Sequence, residues 1–170
     1  MKKSATIILL LFSIIVRAQK QILPTNEFYV TGAVKNEQKF SLTDIEKFVS
    51  IDIADLVITN HLGVPRDTLR QLKGILLKDL LKNISLKEDN PKRFSEFYLS
   101  FVASDNYKVV YSWNEIFNSP TGDKLYIVTA VNGSSLEVMK NKILVITPTD
   151  FKTGRRYIKC LSKIIVSRVE

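Results

Sequence analysis

The chain of 170 residues has one cysteine, one histidine and one tryptophan, and after its first eighteen residues it has no long apolar run. A lone Cys160 excludes an internal disulfide and any thiolate cluster for a metal. A lone His61, with no second His or Cys and no acidic cluster at ligand spacing, is a poor nucleus for a metal site. There is no GxSxG elbow, no HExxH helix and no phosphate-cradling glycine loop. Nor is there a run of five or six like charges, so the sequence shows neither a nucleic-acid footprint nor a polybasic membrane tail. No internal repeat or low-complexity segment occurs.

What is present begins with a secretion signal. The segment "MKKSATIILLLFSIIVRA", residues 1–18, places Lys2 and Lys3 before an apolar core and closes on Val16-Arg17-Ala18. That pattern is a signal peptide, and its apolar core is shorter than the roughly 20 residues that span a bilayer. No cysteine stands near the cleavage point and no twin-arginine pair precedes the core, so general export of an unfolded chain to an extracytoplasmic (periplasmic or secreted) location is expected. Removing the segment leaves 152 residues from Gln19, enough for one domain with a real core, and lowers the formal charge from +8 to +5. No membrane span is expected in residues 19–170.

Strands dominate the rest. "EFYVTGAV" (27–34) is β-branched and aromatic, with Gly32 marking a bulge or a close backbone approach. A short strand through Phe40 leads to a helix whose capping box the spacing assigns to Thr43 and Glu46. "IADLVITN" (53–60) reads as one buried strand, and "GILLKDLLKN" (74–83) as a strand end turning into a helix with Leu76, Leu77, Leu80 and Leu81 on one face. The polar stretch 85–95, with Pro91, is a loop. "EFYLSFVAS" and "YKVVYSW" form a hairpin around Asp105-Asn106, and "NEIFNSP" is a brief helical turn. Strands at 124–133, 142–148 and 156–169 complete the chain, and the scattered short helices imply an α+β class with no doubly wound sheet.

Among chemically capable side chains, His61 in "ITNHLG" could act as a base paired with Asp67, though a loop histidine explains it as well. Asp105-Asn106-Tyr107 and Asn132-Gly133 read as turn chemistry. Tyr107, Tyr111 and Trp113 alternate along one strand face as core. Cys160 lies in an apolar stretch and reads as a buried structural thiol. On a regular strand Arg155 and Lys159 would share one face and Arg156 the other. Asn83-Ile84-Ser85 and Asn132-Gly133-Ser134 match glycan acceptor sequons, meaningful only in a eukaryotic secretory pathway.

Taken in order, "YVTGAV", "SLTDIEKF", "LVITN", "LKGILLKDLL", "SDNY", "VNGSSL" and "GRRYIKCLSKIIV" resemble the molybdopterin-binding domain of the sulfite oxidase family from about Phe28 to Val166. The C-terminal match is the most specific, carried by Gly154, Arg156, Tyr157, Ile158, Lys159, Leu161, Lys163 and Ile164. The resemblance implies a single α+β domain, 19–170, of mixed, curved, partly barrel-like sheets, with a molybdenum pterin in a basic cleft. It places Asn60, His61, Arg155, Arg156 and Lys159 as cofactor-binding positions. The chain departs from that pattern in three ways. At the end of "LVITN", where the family supplies a thiolate to the metal, it has Ile58-Thr59-Asn60-His61. The arginine before the "LVITP" strand is replaced by Lys142 as the nearest base. The export signal is not of the twin-arginine kind that folded, cofactor-loaded enzymes of this family generally carry. No metal ligand is assigned and no cofactor is expected, molybdopterin being admitted only by resemblance. A non-catalytic exported domain that binds an anionic small molecule or an envelope protein is the expectation; a molybdopterin-dependent oxidoreductase with an altered metal site is the alternative.

Overall fold

The computed structural model describes residues 22–170; the expected signal segment lies outside them. Two open five-stranded sheets and a two-stranded ribbon make up a mixed α+β fold in which no sheet closes into a barrel.

The first sheet is built on β1 (Glu27–Gly32) and the C-terminal β12 (Leu161–Arg168), which run parallel with Tyr29 opposite Lys163 and Gly32 opposite Val166. Alternation on β12 sends Ile164 and Val166 inward while Lys163 faces water, and an irregularity in pairing between Leu161 and Lys163 lets Leu161 face inward as well. β2 (Gln38–Ser41) flanks β1, and the hairpin of β7 (Phe97–Ala103) and β8 (Lys108–Ser112) flanks β12. Asn106 takes the left-handed φ of 68° that its turn requires. Gly32 shows why glycine is needed: its φ is +95° and an added Cβ would sit 2.2 Å from the Val166 carbonyl oxygen.

The second sheet centres on β9 (Tyr126–Val131). One edge of β9 pairs with β6 (Leu72–Leu76), which carries β3 (Ile51–Ile53) beyond it. The other edge is shared by β10 (Ser134–Ser135) and β11 (Leu144–Ile146). The ribbon is the hairpin of β4 (Leu56–Thr59) and β5 (Pro65–Leu69).

Three one-turn helices punctuate the sheets. α1 (Leu42–Glu46) starts at a capping box made by Ser41 and Asp44, not by Thr43 and Glu46. The reason is local: Ser41 is still extended, so its hydroxyl reaches the third helical amide, while Thr43 is already inside the turn. α2 (Leu77–Leu81) buries Leu77, Leu80 and Leu81 as its spacing demands. α3 (Trp113–Phe117) has a second capping box, Ser112 with Glu115.

Three further expectations are corrected. The stretch 53–60 is not one buried strand: β3 ends at Ile53, and β4 alternates with Val57 exposed and Leu56 and Ile58 buried. The terminal strand does not begin at 156. Residues Thr153–Arg156 form a 3-10 turn and Cys160 takes a φ of 55°, so regular pairing starts at Leu161. Tyr107, Tyr111 and Trp113 do not share a core face, because Tyr111 is fully buried while Tyr107 is exposed at the hairpin end. Trp113 instead packs at the core margin, edge-on to Phe94 and tilted against Phe117.

Two cores result. The larger lies between the two five-stranded sheets and the helices and contains Phe28, Phe101 and Tyr111 from the first sheet, Ile75, Ile127 and Val145 from the second, and Leu77 from α2. The smaller lies under the ribbon, where Leu56, Ile58 and Leu69 meet Val128, Met139 and Ile146. Full burial of each such side chain stabilises by about 1.5–3 kcal/mol. Both cores converge on the segment 149–160, the one that carries the basic candidates.

Candidate functional site

Asn60 organises the ribbon tip. Its side-chain oxygen accepts from the amides of Leu62 (2.9 Å) and Val64 (3.0 Å), its own amide donates to the Val64 carbonyl, and its carbonyl accepts from Gly63. Gly63 closes the turn with a φ of +93°. His61 stands exposed at this tip. Its carbonyl accepts from the Arg155 guanidinium at 3.2 Å, and its ring has no hydrogen-bond partner among the described residues. A His61 to Asp67 pair does not form: Asp67 lies opposite Ile58 in the ribbon, and its carboxylate accepts from the Thr68 amide.

The 3-10 turn clamps onto the end of β4. Thr153 donates to the Val57 carbonyl at 2.6 Å and accepts from the Thr59 amide at 3.0 Å. Gly154 approaches so closely that a Cβ would sit 1.8 Å from the Thr59 carbonyl oxygen. The Thr59 hydroxyl is enclosed with no partner among the described residues. Asn60, His61 and Arg155 are therefore neighbours at the ribbon tip.

Arg156 goes elsewhere. Its guanidinium meets Asp150 through two nitrogens, one at 2.8 Å, and Glu115 at 2.9 Å, and it lies 4.3 Å over the Tyr111 ring. The Tyr111 hydroxyl is within 2.7 Å of the Thr147 hydroxyl. Hydrogen bonding to Asp150 first, and to Glu115 with it, outweighs burial and holds the guanidinium firmly charged. Two carboxylates thus neutralise the residue that was expected to offer charge to a ligand. The sequence missed Asp150, Glu115, Tyr111 and Thr147 as its partners. The one available signal was Ser112-x-x-Glu115: one Glu115 oxygen caps α3, which leaves the other for Arg156.

Lys159 sits apart from both groups, its ammonium 5.2 Å from the Tyr157 ring. A cleft of about 250 Å³ beside it is lined by Asp105, Tyr107, Gly154 and Tyr157. A second hollow of about 200 Å³ on the far side of Tyr157 is lined by Asp67, Asn132, Met139 and Lys140. Burial, helped by the Asp67 charge, pushes the Tyr157 phenol up to about 12. The Tyr107 hydroxyl donates to the Arg155 carbonyl and so ties the cleft wall to the 3-10 turn. The cleft pairs Lys159 with Asp105, and the hollow sets Lys140 and Lys159 against Asp67, so neither is strongly basic.

Cys160 is fully buried, as expected of a structural thiol, and burial raises its pKa. Among the described residues no group of three or more His, Cys, Asp or Glu side chains could hold a metal ion, and no helix is long and apolar enough to cross a membrane.

No family model matches the chain, and no curated protein matches it. Its fold is similar to the crystal structure of the sulfane dehydrogenase SoxCD from Paracoccus pantotrophus, with a TM-score of 0.62 at 12% identity. The match covers 86% of this chain and 40% of that one, so the chain spans less than half the length of this neighbour and shares with it a fold.

Proposed function

We propose that the chain is an exported, non-catalytic domain on a scaffold like that of the sulfite oxidase molybdopterin domain, one that binds a partner and turns nothing over. The observation that carries this reading is the end of β4. The resemblance implies a thiolate there, whereas Thr59 is clamped by Thr153 and Gly154, and Asn60 spends its side chain on the turn. The one thiol among the described residues is Cys160, sealed from solvent with a raised pKa. These residues do not fit the molybdenum group. Of the basic residues that would hold a pterin phosphate, Arg156 is already neutralised by Asp150 and Glu115.

An anionic small molecule, if one is held, would contact Lys159 above Tyr157. Titrating wild type and Lys159→Ala with inorganic phosphate by calorimetry tests this: saturable heat lost in the variant supports the site, and equal heats remove Lys159 from it. The fold likeness to a dehydrogenase favours a second reading, an oxidoreductase with an altered metal site, for which stoichiometric molybdenum and pterin in the purified protein would be required.

A further inference from the structure

The positive charges are scattered in sequence, but folding gathers some of them around exposed apolar tips. Phe151 is fully exposed at the 149–156 turn. Beside it the ribbon tip presents Leu62 and Val64, 68% and 51% exposed. The two tips are neighbours: the Lys152 side chain passes 3.8 Å from the Cβ position of Gly63, and Arg155 reaches the His61 carbonyl. Lys152 and Arg155 are in no ion pair among the described residues. The nearest acid in the turn, Asp150, is turned inward onto Arg156, and Asp67 lines the hollow beside Tyr157.

We infer that this pair of tips is a surface that seats on a membrane rich in anionic phospholipid. The shape favours lipid over a protein partner. A wholly exposed Phe beside exposed Leu and Val side chains, flanked by unpaired cations, can insert at the headgroup boundary while the lysine and arginine meet phosphates. A stable protein interface needs roughly 800 Å² from each partner, much of it well packed, and two separate loop tips supply little of that. The inference rests on the proposed export of the chain, which would place it beside such a membrane.

The test is co-sedimentation of the full chain with vesicles of phosphatidylcholine alone and of phosphatidylcholine mixed with phosphatidylglycerol, at low and high salt. The variants are Phe151→Ser, Lys152→Glu, and Lys92→Glu as a control of equal charge change on the remote 3-10 turn Pro91–Glu96. All share the same N-terminal segment, so differences among them report the tips. The expected result is binding that needs phosphatidylglycerol, weakens with salt and falls at least about fivefold for Lys152→Glu. Phe151→Ser is expected to weaken it as well, with Lys92→Glu close to wild type. Failure to prefer anionic vesicles, or equal loss in the Lys92 control, overturns the inference. Neither outcome bears on molybdenum content, which tests the proposed function separately.

Discussion

Gly154 lies against Thr59 so tightly that a single methyl group on it would fall 1.8 Å from the Thr59 carbonyl oxygen. That contact fixes the basic segment to the ribbon. Gly154→Ala must therefore push the 3-10 turn off β4, costing roughly 1–3 kcal/mol as overpacking does. Gly63→Ala meets only the Lys152 side chain, at 3.8 Å, and its cost is the left-handed backbone alone, about 1 kcal/mol. Urea unfolding of both variants checks the order; equal or reversed losses would contradict the clamp.

His61→Ala should change stability by less than about 0.5 kcal/mol, because its exposed ring makes no hydrogen bond within the described fold. Asn60→Ala removes the acceptor for two amides and should cost about 1–2 kcal/mol. The comparison separates a turn built by its asparagine from one built around its histidine. A larger loss at His61 would reverse that assignment.

Arg156→Met leaves Asp150 and Glu115 without their shared cation, and with the side chains part-exposed the loss should be about 2 kcal/mol. The same network contributes to acid sensitivity, beside the depressed carboxyls of Glu27, Asp44 and Glu88. Burial pushes the Glu115 carboxyl up, but the Ser112 amide and Arg156 pull it down further, below its ordinary 4.5. A carboxyl depressed in the fold contributes stability in full above pH 4.5, and that contribution is lost as pH falls through the folded value. Chemical unfolding across the acid range should show this decline in wild type and a shallower one in Arg156→Met. At the alkaline end Tyr157, raised to about 12, keeps its contribution below pH 10 and loses it as pH climbs toward 12.

Cys160 should resist a thiol reagent such as dithionitrobenzoate in the native protein and react fully once unfolded in urea, since it is buried with a raised pKa. Fast native labelling would mean that the thiol is available after all, and would reopen it as a metal ligand.

The elements whose pattern is local were legible: the β7–β8 hairpin around Asn106, the Leu77, Leu80, Leu81 face of α2, the close approach at Gly32 and the buried Cys160. What the sequence hid was mostly long-range. Nothing local marks residues 153–156 as a turn, because Tyr157, Ile158 and Leu161 continue a strand-like apolar pattern through the left-handed kink at Cys160. For the same reason the alternation rule assigned Arg155, Arg156 and Lys159 to strand faces that do not exist. The three instead diverge, one to the ribbon tip, one to Asp150 and Glu115, one to Tyr157. The apolar-basic tips joined by Gly63 and Lys152 are separated by about ninety residues in sequence, beyond the reach of any run-based reading of charge.

The central claim, that the scaffold persists without the metal chemistry, is tested most directly by elemental and pterin analysis of the protein purified from a host competent to make the cofactor. The expected result is a folded protein with no stoichiometric molybdenum and no pterin released on denaturation. One molybdenum with one pterin per chain, retained through purification and lost on unfolding, would contradict it.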